Sequence, residues 1–149
     1  MADQAGLSDF DRMVASIQQK IVEQERAIYS AKVLDEAHHP SNVGRMSEPD
    51  AYGKVRSWCG DAMEFYLRLN GDRIEEVKFM TDGCGPTLAS GNTLARLVEG
   101  RTLEEASAVT PEEVIEALDG LPRESVHCAE LAVSTLQNAI FNWRVEHQA

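Results

Sequence analysis

The chain has 149 residues, 43% of them hydrophobic and 26% charged, which is the size and make-up of one globular domain that can build a core without disulfides. A formal net charge of −11 excludes nucleic acid as a partner, because phosphate binding needs a basic face. No apolar run reaches the roughly 20 residues of a membrane span, and Met1-Ala2-Asp3-Gln4 does not open an export signal, so the expected location is the cytoplasm with no membrane partner.

In chain order, Ser8 or Asp9 caps a first helix, with Asp9 and Asp11 in its first turn. Met13, Ile17, Ile21 and Ile28 recur near helical spacing, and the pattern continues through Val33 and Leu34 to about Ala37. His38-His39-Pro40 ends it. Pro40, Gly44, Pro49 and Gly53 mark a loop over 40–53. Lys54 to Trp58 reads as an edge strand. Met63, Phe65, Leu67 and Leu69 alternate with Glu64, Tyr66 and Arg68, a half-buried strand. Asn70-Gly71-Asp72 is a hairpin turn, and Ile74 to Thr81 returns with Val77 and Phe79 inward. Pro86 opens a helix that runs to Glu99 and stops at Gly100. Thr102 with Glu105, and Thr110 with Glu113, are capping boxes. Ser125 caps a last helix whose inner stripe is Val133, Leu136, Ile140 and Trp143. Helix, strands, then helices make an α+β arrangement.

The chain has three cysteines, and each lies in a small motif of its own: Cys59-Gly60-Asp61, Gly83-Cys84-Gly85 and His127-Cys128. An odd and widely spread set cannot close a disulfide framework within one chain. Gly60 lets the backbone turn beside Cys59, and two glycines let Cys84 approach a bulky group. Cys128 falls in the first turn of the last helix, where the helix terminus favours a thiolate and is expected to lower the thiol pKa. Thiolate, carboxylate and imidazole together suit zinc, iron or an iron–sulfur cluster; residue types alone leave these open, beside the plainer reading of buried structural cysteines. His38-His39 reads as a solvated helix end, His147 as tail, Trp58 as a packing aromatic or a shield, and Asp82 as turn chemistry. No phosphate-cradling loop and no nucleophile elbow is present.

These motifs, with Tyr29-Ser30-Ala31-Lys32-Val33-Leu34-Asp35, Pro40-Ser41-Asn42-Val43-Gly44 and Ala89-Ser90, resemble the IscU/NifU-type scaffold proteins of iron–sulfur cluster assembly from about Tyr29 to Trp143. The resemblance divides the chain into a helical extension, 1–28, and a scaffold domain, 29–149, with a small three-stranded antiparallel sheet covered by helices. It implies a scaffold or carrier, not an enzyme, that assembles and passes on a labile 2Fe–2S cluster. Cys59, Asp61, Cys84 and Cys128 are the implied ligands and His127 the alternative or supporting one, with an iron or zinc ion as alternative occupant. A cysteine desulfurase is the implied sulfur donor, Cys128 the sulfur acceptor, and cluster-acceptor apoproteins the recipients. Where the family often carries Leu-Pro-Pro-Val-Lys, the binding motif of an Hsp70-type chaperone, this chain has Leu121-Pro122-Arg123-Glu124-Ser125, so the resemblance does not extend to that partner. The zinc-dependent, sulfur-transferring SufU branch has arginine where this chain has His127, which favours the cluster-scaffold branch. The apolar stripe of the extension needs a surface to cover, and a second copy in a homodimer that helps cover the site is the expectation.

Overall fold

Helix α1 runs from Asp9 to Ile28 behind a complete capping box, in which Ser8 accepts the Asp11 N–H and the Asp11 carboxylate takes the Ser8 N–H. The computed structural model describes residues 8–83 and 85–148. The single long helix expected from 8 to about 37 is two helices. Tyr29 takes an extended backbone, and Ser30 caps a separate α2, Ala31–His38, by accepting the Val33 N–H at 3.0 Å. Ser30 also donates to the Leu118 carbonyl, which fixes the break against a distant part of the chain.

The sheet is a three-stranded antiparallel meander in the order β1-β2-β3. β1 is Ala51–Arg56, β2 is Ala62–Asn70 and β3 is Arg73–Thr81. Gly53 faces Phe65, Phe65 faces Phe79, and the β2–β3 register shifts once at Arg68/Leu69. Asn70 pairs with Arg73, so the turn is Gly71-Asp72, with Gly71 at φ 65°. The edge strand sits earlier than Lys54–Trp58 because Ala51 and Gly53 are buried. Met63, Phe65, Leu67, Val77 and Phe79 point into the core, as the alternation predicts, and Ile74, out of phase with Val77, is buried as well, opposite the register shift. Tyr66 departs from it: read as outward, it is buried beside Tyr52, ring centroids 5.0 Å apart.

Helix α3, Pro86–Val98, and helix α6, Val126–Glu146, cover one face of this sheet. Two glycines set how close they come. A Cβ on Gly53 would lie 2.4 Å from the Ala139 backbone nitrogen, so only glycine lets β1 lie on α6. A Cβ on Gly91 would lie 2.5 Å from the Phe79 ring, so α3 rests directly on β3. Short helices α4, Leu103–Ser107, and α5, Pro111–Ala117, close the far side. Thr102 forms the full capping box with Glu105, while Thr110 contributes only its half, accepting the Glu113 N–H at 3.3 Å. Val133, Leu136 and Ile140 are buried along α6 as expected, with Trp143 half-buried at its end.

The loop before the sheet is held by a buried polar network. Asn42 gives its backbone N–H to Asn92 Oδ1 at 2.8 Å and its amide to the Val77 carbonyl at 2.9 Å. Asn92 and Arg96 both donate to the buried Glu36 carboxylate. Val43 bridges Phe79 as a parallel neighbour, with Gly44 N–H on the Phe79 carbonyl at 3.0 Å. Burying these groups is tolerable only because each has a partner.

Candidate functional site

Three chain segments converge at one end of the sheet. The β1–β2 turn, Ser57 to Asp61, carries Trp58, Cys59 and Asp61. It is pinned by Ser57 N–H on the Asp61 carbonyl at 2.7 Å and Gly60 N–H on the Ser57 carbonyl at 3.0 Å, with Gly60 at φ 98°. Arg56 adds a bond from Nη1 to the Gly60 carbonyl at 2.5 Å. Beside this turn, the β3–α3 connection brings in Gly83, Gly85 and Thr87. The start of α6 supplies His127 and Cys128.

Asp82 is structural. Its Oδ1 accepts the Ala62 N–H at 2.7 Å and its Oδ2 lies 3.9 Å from Arg56, so it fastens the β3–α3 connection to the start of β2. That is the turn chemistry expected of it. Cys84, expected as a ligand, lies outside the described residues. Its neighbours show what the connection permits: Gly85 has φ 54° and precedes Pro86 as the cap of α3.

Thr87 occupies the centre. It is buried, and its hydroxyl lies 3.4 Å from Asp61 Oδ2 and 3.3 Å from Cys128 Sγ. One hydroxyl proton can be donated to only one of these at a time. Thr87 therefore couples the carboxylate to the thiol. A side chain at position 83 would meet Thr87 Cγ2 at 2.7 Å and Asp61 Oδ2 at 2.9 Å, so Gly83 is what lets these two groups stand together. The sequence reading missed Thr87. Its signal was a hydroxyl three residues after Cys84, on the face of α3 that continues through Gly91 and Leu94 into the core.

Cys59 and Cys128 differ sharply. Cys59 is exposed, its sulfur 2.7 Å from the Ser57 hydroxyl. Cys128 is only 3% exposed. Burial pushes the Cys128 thiol above the ordinary cysteine value. The Thr87 hydrogen bond pulls it down, the Asp61 carboxylate and Cys59 push it up, and its own backbone N–H pulls it down. This corrects the expectation of a lowered thiol pKa: the helix terminus helps the thiolate, but desolvation outweighs it. The expected Ser125 cap is corrected too. A 3₁₀ turn, Arg123–Ser125, runs straight into α6, so Ser125 already has helical angles and its side chain makes no capping bond.

His127 Nε2 lies 3.8 Å from Cys128 Sγ, and its ring centroid is 5.5 Å from that of Trp58. Trp58 is 86% exposed, so it overhangs the site rather than packing in the core. The structure thus brings Cys59, Asp61, His127 and Cys128 to one end of the fold, with Thr87 between two of them. Among the described residues, no three His, Cys, Asp or Glu side chains stand close enough to hold one metal ion. The other three histidines lie elsewhere: His38 Nε2 is 3.4 Å from Glu25 Oε2, His39 ends α2, and His147 stacks on Trp143 with its Nδ1 2.9 Å from the Trp143 carbonyl. No helix of the described residues is long and apolar enough to cross a membrane.

The chain is 39% identical over 117 residues to the iron–sulfur cluster assembly scaffold protein IscU 1 of Archaeoglobus fulgidus, covering 78% of this chain and 76% of that protein. It is 38% identical over 115 residues to the scaffold protein IscU of Aquifex aeolicus, covering 75% and 73%. These relatives are named as scaffold proteins, not as enzymes. A solved structure of a putative iron–sulfur cluster assembly scaffold protein for the SUF system, from Fervidobacterium islandicum AW-1, has the same fold, with a TM-score of 0.67 and 24% identity over 76% of this chain and 97% of that one. The three-stranded antiparallel sheet under helices is therefore the expected α+β fold. Residues 28–149 match the NifU-like N-terminal domain, and the chain belongs to that family.

Proposed function

We propose that this chain is a scaffold on which an iron–sulfur cluster is assembled and from which it is handed on, the assembly role that its relatives' names state for them. The observation that carries this reading is the meeting of Asp61 and Cys128 at the Thr87 hydroxyl, with exposed Cys59 on the same turn as Asp61. The proposed cargo is a 2Fe–2S cluster. Cys59, Asp61, Cys84 and Cys128 are its ligands, and His127 is the alternative to one of them. Thiolates suit iron in a sulfide cluster, and a carboxylate is a harder, less covalent donor than a fourth thiolate. A site of this composition releases its cargo more readily than an all-cysteine site. The same groups suit an iron or zinc ion, which is the basis of the alternative, a zinc-dependent sulfur-transfer protein.

Sulfur reaches the site as a persulfide on a cysteine desulfurase. An acceptor thiolate attacks the outer sulfur, the donor's S–S bond breaks, and the donor cysteine leaves as thiolate. We propose Cys128 as acceptor, beside His127. Cys59 is the second reading, favoured by its exposure, because a bulky donor reaches it without rearrangement. Mapping the extra sulfur by mass spectrometry after brief incubation with desulfurase and cysteine separates the two. Cluster-acceptor apoproteins in the cytoplasm are the proposed recipients, and the scaffold is proposed to act as a homodimer.

Asp61→Ala tests the release role. The variant should hold a reconstituted cluster longer and pass it to an apo-ferredoxin more slowly. Faster loss with undiminished transfer would overturn the assignment.

A further inference from the structure

Helix α1 stands outside the core. None of its residues is buried, and its described contacts fall chiefly on α2. Its outward edge has a definite pattern. Phe10, Val14, Ile17, Ile21, Gln24 and Ile28 alternate at spacings of four and three residues over the whole helix. That is the seam of a coiled coil, with Val14, Ile21 and Ile28 at one core position and Phe10, Ile17 and Gln24 at the other. Ile17, Ile21 and Ile28 are about half exposed, and Phe10 more so. Among the described residues, α2 approaches α1 along a different line, where Glu25 meets His38, and leaves this edge open. A helix of this length with an open apolar stripe is marginal in water by itself.

Charge and polarity select the occupant. The positions flanking the seam hold Lys20 on one side and Asp11 and Glu25 on the other. In a parallel, in-register pair, Lys20 of each copy faces Glu25 of the other, which gives two attractive contacts. An antiparallel pair sets Lys20 against Lys20 and Asp11 against Glu25, all of like sign. Gln24 discriminates the same way. In the parallel pair it meets its own counterpart and the two amides hydrogen-bond across the seam; in the antiparallel pair it faces Val14 and its amide is left unpaired.

We propose that α1 pairs with α1 of a second copy as a parallel, in-register, two-stranded coiled coil that joins two scaffold domains. The seam is self-complementary, so a second copy of this chain is the partner it fits. The pairing does not depend on the cargo of the site.

Sedimentation of the full chain across a concentration series tests this. The parent should show the mass of two chains. Ile17→Glu with Ile21→Glu should show one chain at every concentration where the parent is paired, with the near-ultraviolet circular dichroism of the folded scaffold domain kept, because neither side chain packs on the core. Lys20→Glu should weaken the dimer, and adding Glu25→Lys should restore it. Gln24→Cys should cross-link to its own counterpart under mild oxidation, as read by peptide mapping. A single-chain mass for the parent, a mass of three or more chains, a dimer that survives the double Glu variant, a charge swap that restores nothing, or an absent 24-to-24 link in a dimer would each overturn the proposal.

Discussion

Replacing Thr87 by valine removes one hydroxyl and keeps the side chain's shape. Thr87 is 2% exposed, so no water takes the hydroxyl's place without opening the fold. The hydroxyl's two partners, Asp61 Oδ2 at 3.4 Å and Cys128 Sγ at 3.3 Å, lose their shared donor. Both contacts are long, and Asp61 is only half-buried and can turn to solvent. The loss therefore falls in the middle of the usual range for a hydrogen bond, about 1 kcal/mol. With a urea slope of about 1–3 kcal/mol per molar, the unfolding midpoint should drop by roughly 0.3–1 M. A second readout separates this coupling from packing. Burial raises the Cys128 pKa and the Thr87 hydrogen bond lowers it, so Thr87→Val should raise it further. At a given pH less thiolate is present, and the alkylation profile of Cys128 against pH should move to higher pH. Thr87→Ser should restore the parent profile. In all of these proteins the exposed Cys59 should be alkylated before Cys128. An unmoved or downward-moving Cys128 profile in Thr87→Val would refute the reasoning, whatever the stability change.

Gly53→Ala should destabilise the fold by about 1–3 kcal/mol in a urea titration, because its Cβ meets Ala139 backbone that cannot swing aside; a loss of a few tenths would show that β1 shifts freely on α6. Glu36→Ala should cost about 1–3 kcal/mol by leaving the buried Asn92 amide without its acceptor, and a double variant with Asn92→Ala should cost less than the sum of the two single changes. Strict additivity of the two would contradict the network.

The strands and the last helix were legible because their patterns are local. Met63, Phe65 and Leu67 alternate along β2, Gly71 marks the hairpin, and Val133, Leu136 and Ile140 repeat along α6. The α1–α2 break was not legible. No glycine or proline stands between Ile28 and Pro40 to mark it, and the reason Ser30 acts as a cap is partly its bond to Leu118, far away in sequence. Tyr66 was misplaced for a similar reason, since the ring of Tyr52 shelters it from a neighbouring strand. At the site, the motifs around Cys59, Asp61, His127 and Cys128 stood out by residue type. The raised Cys128 pKa did not, because a helix terminus can be read from sequence and desolvation cannot. Thr87 escaped notice because a threonine at a helix start is ordinary until Asp61 and Cys128 are seen on either side of it.

The most direct test of the scaffold reading is the iron, zinc and acid-labile sulfide content of the protein after reconstitution without oxygen with iron, cysteine and a cysteine desulfurase, measured beside its visible absorption. The account predicts iron and sulfide in equal amounts, about two of each per site, with absorption bands that disappear in a Cys59→Ser, Cys128→Ser double variant. Zinc alone with a colourless protein, or an iron–sulfur chromophore undiminished in the double variant, would contradict it.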